Sequence, residues 1–152
     1  MALLARAPMA LLDPALGQHA HGAPRWLRPP ETGLMMVQGR AGGTGERFNL
    51  GEVTVTRCAL RLPAQRHEDA AVGVAYVLGR SHRHAQLAAV ADALLQDPAL
   101  KVSLDATLLA PLRAHLARES EARHVRAQSS KVEFFTVARQ SGTNSEDEED
   151  GA

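Results

Sequence analysis

Residues 52–62 read EVTVTRCALRL, and this stretch decides the fold class of the chain. Apolar and polar residues alternate along it and β-branched side chains are frequent, a pattern typical of a β-strand. Val53 and Val55 fall on one face, whereas Cys58 and the leucines after it fall on the other. This change of phase predicts either a β-bulge near Arg57 or a strand that is buried on both faces over part of its length.

Two further strands are predicted beside this one. Residues 32–39 (TGLMMVQG) precede it, and residues 72–79 (VGVAYVLG) follow it after a polar loop. The proline-rich residues 24–31 form a connector or an edge strand at most. Because consecutive strands with short links pair as neighbours, we expect an antiparallel meander. In the third strand the larger side chains share one face, namely Val72, Val74, Tyr76 and Leu78.

Helices are predicted on both sides of the strands. Residues 1–22 contain one or two short helices, and Asp13 with Pro14 is the expected start of the second. After the strands, Ser81 is the expected N-cap of a helix that continues to Gln96, because leucine, valine and alanine recur there at helical spacing.

The last third of the chain predicts one polar helix and one more strand. The helix covers residues 112–127, and the strand covers residues 131–139 (KVEFFTVAR). Phe134 and Phe135 point to opposite faces of that strand. One ring can therefore contact the core while the other contacts a partner subunit, which makes both residues candidates for partner contact.

The order of elements predicts an α+β fold. It consists of N-terminal helices, a mostly antiparallel meander of three to four strands, two helices in the C-terminal half and a last strand. We expect a single domain over residues 1–140, a size that supports one core. Residues 141–152 contain a run of five acidic side chains and are expected to form a disordered tail.

The formal net charge of zero hides an uneven distribution. Without the five acidic residues at positions 146–150, the remainder carries 17 basic and 12 acidic side chains, and 15 of the basic ones are arginines. Arginine binds carboxylate and phosphate groups through two parallel hydrogen bonds, so this composition suits anionic ligands. Aromatic residues make up only 3% of the chain, which argues against nucleic-acid binding, as does the lack of a known motif.

Cys58 is the single cysteine, so neither an internal disulfide nor a cysteine-based metal cage is expected. Its position in an apolar strand face indicates a core residue rather than a nucleophile. No stretch of 18 apolar residues predicts a membrane span, and no signal peptide is recognised. These features favour a cytoplasmic protein without membrane or metal binding.

The most distinctive motif is residues 38–48, QGRAGGTGERF. Its glycines can adopt positive φ and let backbone amides approach an anion, and arginines flank them. The candidate anion-binding residues are Arg40, Gly42, Gly43, Gly45 and Arg47. The spacing fits neither a P-loop nor a dinucleotide-binding loop. The alternative is a tight hairpin turn in which the arginines form salt bridges with Glu46.

Two more candidates for anion binding or subunit contact lie at the junction after the third strand. Arg80 ends that strand, and His84 lies in the first turn of the helix, where it can donate a hydrogen bond to a phosphate. Together with Arg57, Arg61 and Arg83, Arg80 can line a basic edge of the sheet, but surface salt bridges are the alternative. His82 and His84 lack a third ligand at a recognised spacing, so no metal site is predicted.

Several of these motifs, in this order and spacing, resemble the PhnG family, the G subunit of the bacterial carbon–phosphorus lyase core complex. The resemblance rests on ETGL at 31–34, RAGGTGERF at 40–48, TVTR at 54–57, GRSHRHA at 79–85 and KVEFFTVAR at 131–139. The glycine-rich block is the most specific of them.

The resemblance implies a subunit of a cytoplasmic complex that contains two copies each of the G, H, I and J subunits. That complex joins methylphosphonate to ATP, releases adenine and forms alpha-D-ribose 1-methylphosphonate 5-triphosphate. The I subunit is credited with the nucleosidase chemistry, and the H and G subunits with the ABC-type L subunit direct it to phosphonate.

The same resemblance assigns the later radical step, with its iron–sulfur cluster and S-adenosylmethionine, to the J subunit. We therefore expect no cofactor on this chain, and we identify no catalytic residue in it. The expected role is that of an accessory subunit in phosphonate breakdown. The alternative is a purely structural scaffold subunit that contacts no ligand.

Overall fold

A three-stranded antiparallel sheet forms the centre of the computed structural model, which describes residues 1–20, 24–63 and 71–132. The strands are β1 (Arg25–Arg40), β2 (Arg47–Arg61) and β3 (Val72–Leu78), and they lie in the order β1-β2-β3. This arrangement confirms the predicted meander. The first two strands are longer than predicted, because β1 includes the proline-rich segment and β2 begins directly after the glycine-rich turn.

The prolines of β1 are accommodated because β1 is an edge strand. Its pairing with β2 shifts between Arg28, which opposes Ala59, and Glu31, which opposes Arg57, so β1 holds one extra residue there. The irregularity near Arg57 therefore lies in β1 and not in β2 itself. The alternative prediction for β2, burial on both faces, is confirmed at two consecutive residues, since Val55 and Thr56 are both buried.

One face of the sheet is covered by helix α2 (His82–Leu94). Ser81 caps this helix as predicted, because the His84 amide donates to the Ser81 hydroxyl at 3.2 Å. Under α2 lies the face of β3 that carries the smaller side chains, including Gly73 and Ala75, both of which are buried. Small residues let the helix backbone approach the strand closely, which leaves the face with the larger side chains uncovered.

The N-terminal residues pack against α2 as a 3-10 turn (Leu4–Arg6) and one helix, α1 (Met9–Ala20). Pro14 lies inside α1, so the expected start of a second helix at Asp13 is wrong. Proline removes one helical hydrogen bond there. The helix continues because leucines on both sides of Pro14 are buried, and the Asp13 carboxylate binds Arg83 instead of capping a helix.

The C-terminal half forms helix α3 (Pro98–Leu104), a π-helical turn (Asp105–Leu109) and helix α4 (Ala110–Ser129). Only the first half of α4 packs on the core, and residues 117–129 are exposed. The predicted last strand is not present at residues 131–132, and its remaining residues, with Phe134 and Phe135, lie outside the described residues. The predicted acidic tail at 141–152 lies outside them too.

The core lies between the covered sheet face and helices α1, α2 and α4. Its largest fully buried aliphatic side chains are Leu4, Leu12, Leu16, Leu60, Leu87, Leu108, Leu112, Val77 and Val90. Leucine, valine and alanine therefore build it with almost no aromatic contribution. Helices combined with an antiparallel sheet confirm the α+β class. Within the described ranges, no helix combines the length and the apolar character that crossing a membrane requires.

Candidate functional site

The first two strands extend beyond the rest of the fold as a hairpin arm, defined here as residues 34–53. Strand β3 pairs with β2 only from Val55 to Arg61. Apart from Leu34, which pairs with Thr54 at the base, the residues of the arm therefore pair only with each other. From residue 34 to the tip at residue 40 the arm is roughly 20 Å long, at about 3.3 Å per residue. Leu34 and Leu50 are among its exposed apolar side chains.

The tip of the arm is closed by the glycine-rich turn. Gly42 and Gly43 have φ values of 58° and 80°, a left-handed conformation that favours glycine. The Gly45 amide donates to the Ala41 carbonyl at 3.0 Å, and a Cβ at Gly45 would lie 2.8 Å from that oxygen. The predicted turn is therefore confirmed, and each of these glycines is needed for its shape.

Arg40 and Arg47 form the last cross-strand pair of the arm, so their side chains share one face. The Arg40 guanidinium donates to the Gly45 carbonyl at 3.2 Å. Within the described residues, neither arginine forms a salt bridge with Glu46, and the Arg47 side chain makes no hydrogen bond. The turn of the alternative interpretation is thus present, whereas its salt bridges are not.

The two guanidinium groups line a shallow, open pocket of about 330 Å³ together with Gln38 and Gly39. Like charges at directly opposed positions destabilise a strand pair. An oxyanion between the two groups would relieve this repulsion and accept charge-assisted hydrogen bonds from both. The arrangement can therefore hold a phosphate or phosphonate group, although it offers no wall that would exclude water.

Arg80 and His84 lie at the junction of β3 and α2, away from the tip. From Thr32, beside this junction, to Arg40 the distance along β1 is roughly 26 Å, or eight residues at about 3.3 Å each. His84 already serves the fold, because its Nε2 donates to the Leu4 carbonyl at 2.9 Å. Arg80 is exposed and pairs with no described residue. The structure thus does not bring these two candidates together with the glycine-rich tip.

Sequence reasoning missed a hydrogen-bonded chain beside this junction. The Thr56 hydroxyl donates to the Gly79 carbonyl at 2.7 Å and lies 3.1 Å from the Thr32 hydroxyl, which lies 3.2 Å from the His82 Nε2. Thr56 is fully buried, the only polar side chain in the described ranges that is. The partners are separated by 23 to 50 positions, so no local motif reveals the chain.

The other side chains that the sequence singled out form contacts within the fold. Arg57 binds Glu31 at 2.7 Å, and Arg83 binds Asp13 at 2.9 Å, so for these two arginines the salt-bridge alternative is confirmed. Cys58 is a buried core residue as predicted, and desolvation by burial raises the pKa of its thiol to about 11. No group of three or more metal-ligating side chains occurs within the described part of the chain.

Comparison with known proteins shows the family of the chain. The family described as phosphonate metabolism protein PhnG matches the chain over residues 1–140. This range includes the arm, its tip and the hydrogen-bonded residues Thr56, Thr32 and His82. A protein of Rhizobium meliloti (strain 1021), named alpha-D-ribose 1-methylphosphonate 5-triphosphate synthase subunit PhnG, is 39% identical over 142 residues, covering 91% of this chain and 86% of that protein. The chain therefore belongs to the PhnG family of phosphonate metabolism proteins.

Proposed function

We propose that this chain is an accessory subunit of a synthase that makes alpha-D-ribose 1-methylphosphonate 5-triphosphate from ATP and methylphosphonate and releases adenine. Membership of the family and the name of the Rhizobium meliloti relative support this role. The chain would act in the cytoplasm, in a carbon–phosphorus lyase core complex with the I, H and J subunits, assisted by the L subunit. ATP is a substrate of that complex, and this chain itself would bind no cofactor.

The observation that carries the proposal is the pair Arg40 and Arg47 at the tip of the projecting arm. A pair of exposed guanidinium groups at the end of an arm is suited to reach a ligand held by another subunit. Because the tip alone is open to solvent, a neighbouring subunit would have to supply the walls that exclude water. This division of roles explains why the chain would assist the reaction without catalysing it alone.

The reaction gives such an assistant a clear purpose. Methylphosphonate is a weak nucleophile, and it competes with abundant water for the anomeric carbon of ATP. Holding the anion in line with the bond to adenine lowers the barrier by several kcal/mol, about 7–11 kcal/mol in ideal cases. Two guanidinium groups can fix the orientation of the oxyanion by parallel hydrogen bonds. The bound group can be the phosphonate or the triphosphate of ATP.

The alternative is a scaffold subunit that orders its partners and touches no ligand. The exposed apolar side chains of the arm favour this second function, because a two-stranded hairpin is only marginally stable by itself. A scaffold would be damaged by charged substitutions at apolar surfaces, including Phe134 or Phe135. A ligand-binding subunit would be damaged by arginine substitutions that leave the complex intact.

The test is Arg47→Ala in the fully assembled complex, with adenine release and the ribose product both measured. We expect the rate of phosphonate-linked product to fall about 10- to 100-fold, as expected for a lost hydrogen bond to a charged group. The matched control is Arg61→Ala, an exposed arginine at the opposite end of the same strand. It should leave the rate unchanged, and both variants should assemble normally.

Two ligand titrations identify the bound group. If Arg47 holds the phosphonate, the KM for methylphosphonate rises in the variant while that for ATP does not, and the reverse holds for the triphosphate. Full product formation by an Arg40→Ala, Arg47→Ala double variant would support the scaffold instead. Equal product formation by a complex that lacks this chain would refute both its part in the synthase step and the role of the tip.

A further inference from the structure

Gly79, Thr56, Thr32 and His82 are linked in that order by three hydrogen bonds. The direction of each bond follows from the chemistry of the groups that form it. The Gly79 carbonyl can only accept, so the single hydroxyl hydrogen of Thr56 points to it. The Thr56 oxygen must then accept from Thr32, whose own hydrogen is thereby used. Thr32 in turn can only accept, so the hydrogen between it and the imidazole belongs to Nε2 of His82.

This direction fixes the tautomer of the neutral His82 ring. With hydrogen on Nε2, the Nδ1 atom carries a lone pair and is a hydrogen-bond acceptor. Among the described residues nothing donates to Nδ1, and the side chain is exposed. Orientation of one imidazole nitrogen by a fixed partner while the other faces the reactant is the arrangement by which enzymes position a histidine base.

The buried Thr56, inside this series of hydrogen bonds, gives the orientation of His82 its rigidity. Thr56 is fully enclosed, on the middle strand of the sheet. Gly79 holds its carbonyl in place because its own amide donates to the Thr54 carbonyl at 2.9 Å, with a φ of 91° that favours glycine. The exposed His82 ring, two residues after the exposed cation Arg80, is open to a ligand.

We propose that His82 is a ligand-binding residue whose Nδ1 accepts the proton of a singly protonated oxyanion, with Thr32 and Thr56 as positioning residues. The chemical class is a phosphonate or phosphate monoanion. In the transfer, the O–H bond of the P–O–H group breaks, an Nδ1–H bond forms, and the electron pair of the O–H bond stays on the oxygen. The products are a dianion and an imidazolium, and the exposed cation Arg80, two residues before His82, is available to pair with the dianion. The choice of phosphonate rests on the proposed function, whereas the tautomer does not.

The first test is ¹⁵N NMR of the histidine rings in the full-length chain, with the His82 signals assigned from a His82→Gln variant. We expect the Nε2–H tautomer at His82, and a mixture of tautomers in Thr32→Val and Thr56→Val. Methylphosphonate and inorganic phosphate near neutral pH should shift the Nδ1 signal, whereas sulfate, which carries no proton there, should not. His124, an exposed histidine of α4, is the internal control and should not respond.

An Nδ1–H tautomer in the unmodified chain would overturn the proposal, as would an equal response to sulfate and methylphosphonate. A response to phosphate alone would place the site on free phosphate and remove it from the synthase reaction. If one threonine variant does not fold, the other still tests the direction of the hydrogen bonds between His82 and Gly79. These outcomes do not depend on turnover, so they remain decisive even if the synthase role fails.

The second test is product formation by the assembled complex. The His82→Gln side chain can still donate to Thr32 but has no nitrogen to take up a proton. We expect at least about a tenfold loss of phosphonate-linked product with normal assembly, and no change for His124→Gln. The Thr56→Val variant should alter the pH profile of the rate, which a purely structural role of Thr56 would leave in place. Full activity of His82→Gln would exclude proton transfer by this residue.

Discussion

At the scale of single residues, Cys58 shows how burial controls chemistry. It lies on the middle strand, is 1% exposed, and its thiol donates to the Ala85 carbonyl at 3.2 Å. The apolar surroundings disfavour the thiolate, so the pKa of Cys58 rises from 9.0 to about 11. The same burial that makes the residue inert towards electrophiles links its ionisation to folding.

We expect the free energy of unfolding to fall as the pH rises from about 9 to about 11. Over this window the unfolded thiol ionises while the folded thiol stays protonated, so the unfolded state is favoured, and the stabilisation present below pH 9 is lost. Two pKa units correspond to about 2–3 kcal/mol. The measurement is urea unfolding across this pH range, compared with the same series for Cys58→Ala.

The Cys58→Ala variant shares every other group that titrates in this range, so the difference between the two series reports Cys58. It should show a weaker loss of stability above pH 9. Parallel curves for the two proteins would contradict the prediction and would mean that the thiolate is solvated in the folded state.

At the scale of secondary structure elements, the contact between β3 and α2 depends on the absence of a side chain at Gly73. A Cβ there would overlap the Ala89 carbonyl oxygen and lie 3.0 Å from the Ala93 Cβ. We expect Gly73→Ala to destabilise the protein by about 1–3 kcal/mol, because the helix must move away from the strand. The midpoint of urea unfolding, followed by circular dichroism, measures the effect.

Gly33→Ala is the matched control on β1. A Cβ there meets no atom within 4 Å, so the free energy of unfolding should change by less than about 0.5 kcal/mol. Equal unfolding midpoints for the two alanine variants would show that α2 adjusts to the extra methyl group at no cost.

The elements that the sequence predicts well are those with a local pattern. Alternation gives the three strands, and Ser81 followed by apolar residues at helical spacing gives α2. The covered face of β3 could not be predicted in this way, because alternation defines two faces without saying which one meets a helix. In this structure the close approach of α2 to the strand at Gly73 determines which face is covered. The prediction of a helix start at Pro14 was wrong for a related reason. Burial of the leucines around Pro14 outweighs the local preference of proline for the first turn of a helix.

The candidate site likewise has a part that a local sequence pattern predicts and a part that only the tertiary structure shows. The turn around Gly42 and Gly43 is local, and its glycines and arginines are found together at the tip as predicted. Arg80 and His84 lie far from the tip, because the length of β1 and the place of β3 in the sheet set that distance. The chain from Thr56 through Thr32 to His82 crosses three elements, so only the three-dimensional structure reveals it.

At the scale of the whole molecule, the sheet has one uncovered face. The exposed fractions of Val74, Tyr76 and Leu78 are 39%, 43% and 72%. Their partners on β2 include Ala59, which is partly exposed, and Arg57, which is exposed and pairs with Glu31 of β1. The strands therefore present a continuous surface of mixed but mainly apolar character. Contiguous apolar surfaces of this kind mark interaction sites in soluble proteins. In the proposed complex this surface, with the hairpin arm beside it, is the natural place for subunit contact.

We therefore expect Leu78→Lys to weaken assembly at least about tenfold without unfolding the chain, because it places a charge where apolar contact is needed. The matched control is Val125→Lys on the exposed half of α4, where the native side chain is 57% exposed. Because both sites are exposed, both variants should unfold within about 0.5 kcal/mol of the unmodified chain. Co-purification of each variant with the other subunits of the complex measures assembly. If Leu78→Lys assembles like Val125→Lys, the uncovered sheet face does not hold the complex together, and the hairpin arm becomes the surface to vary next.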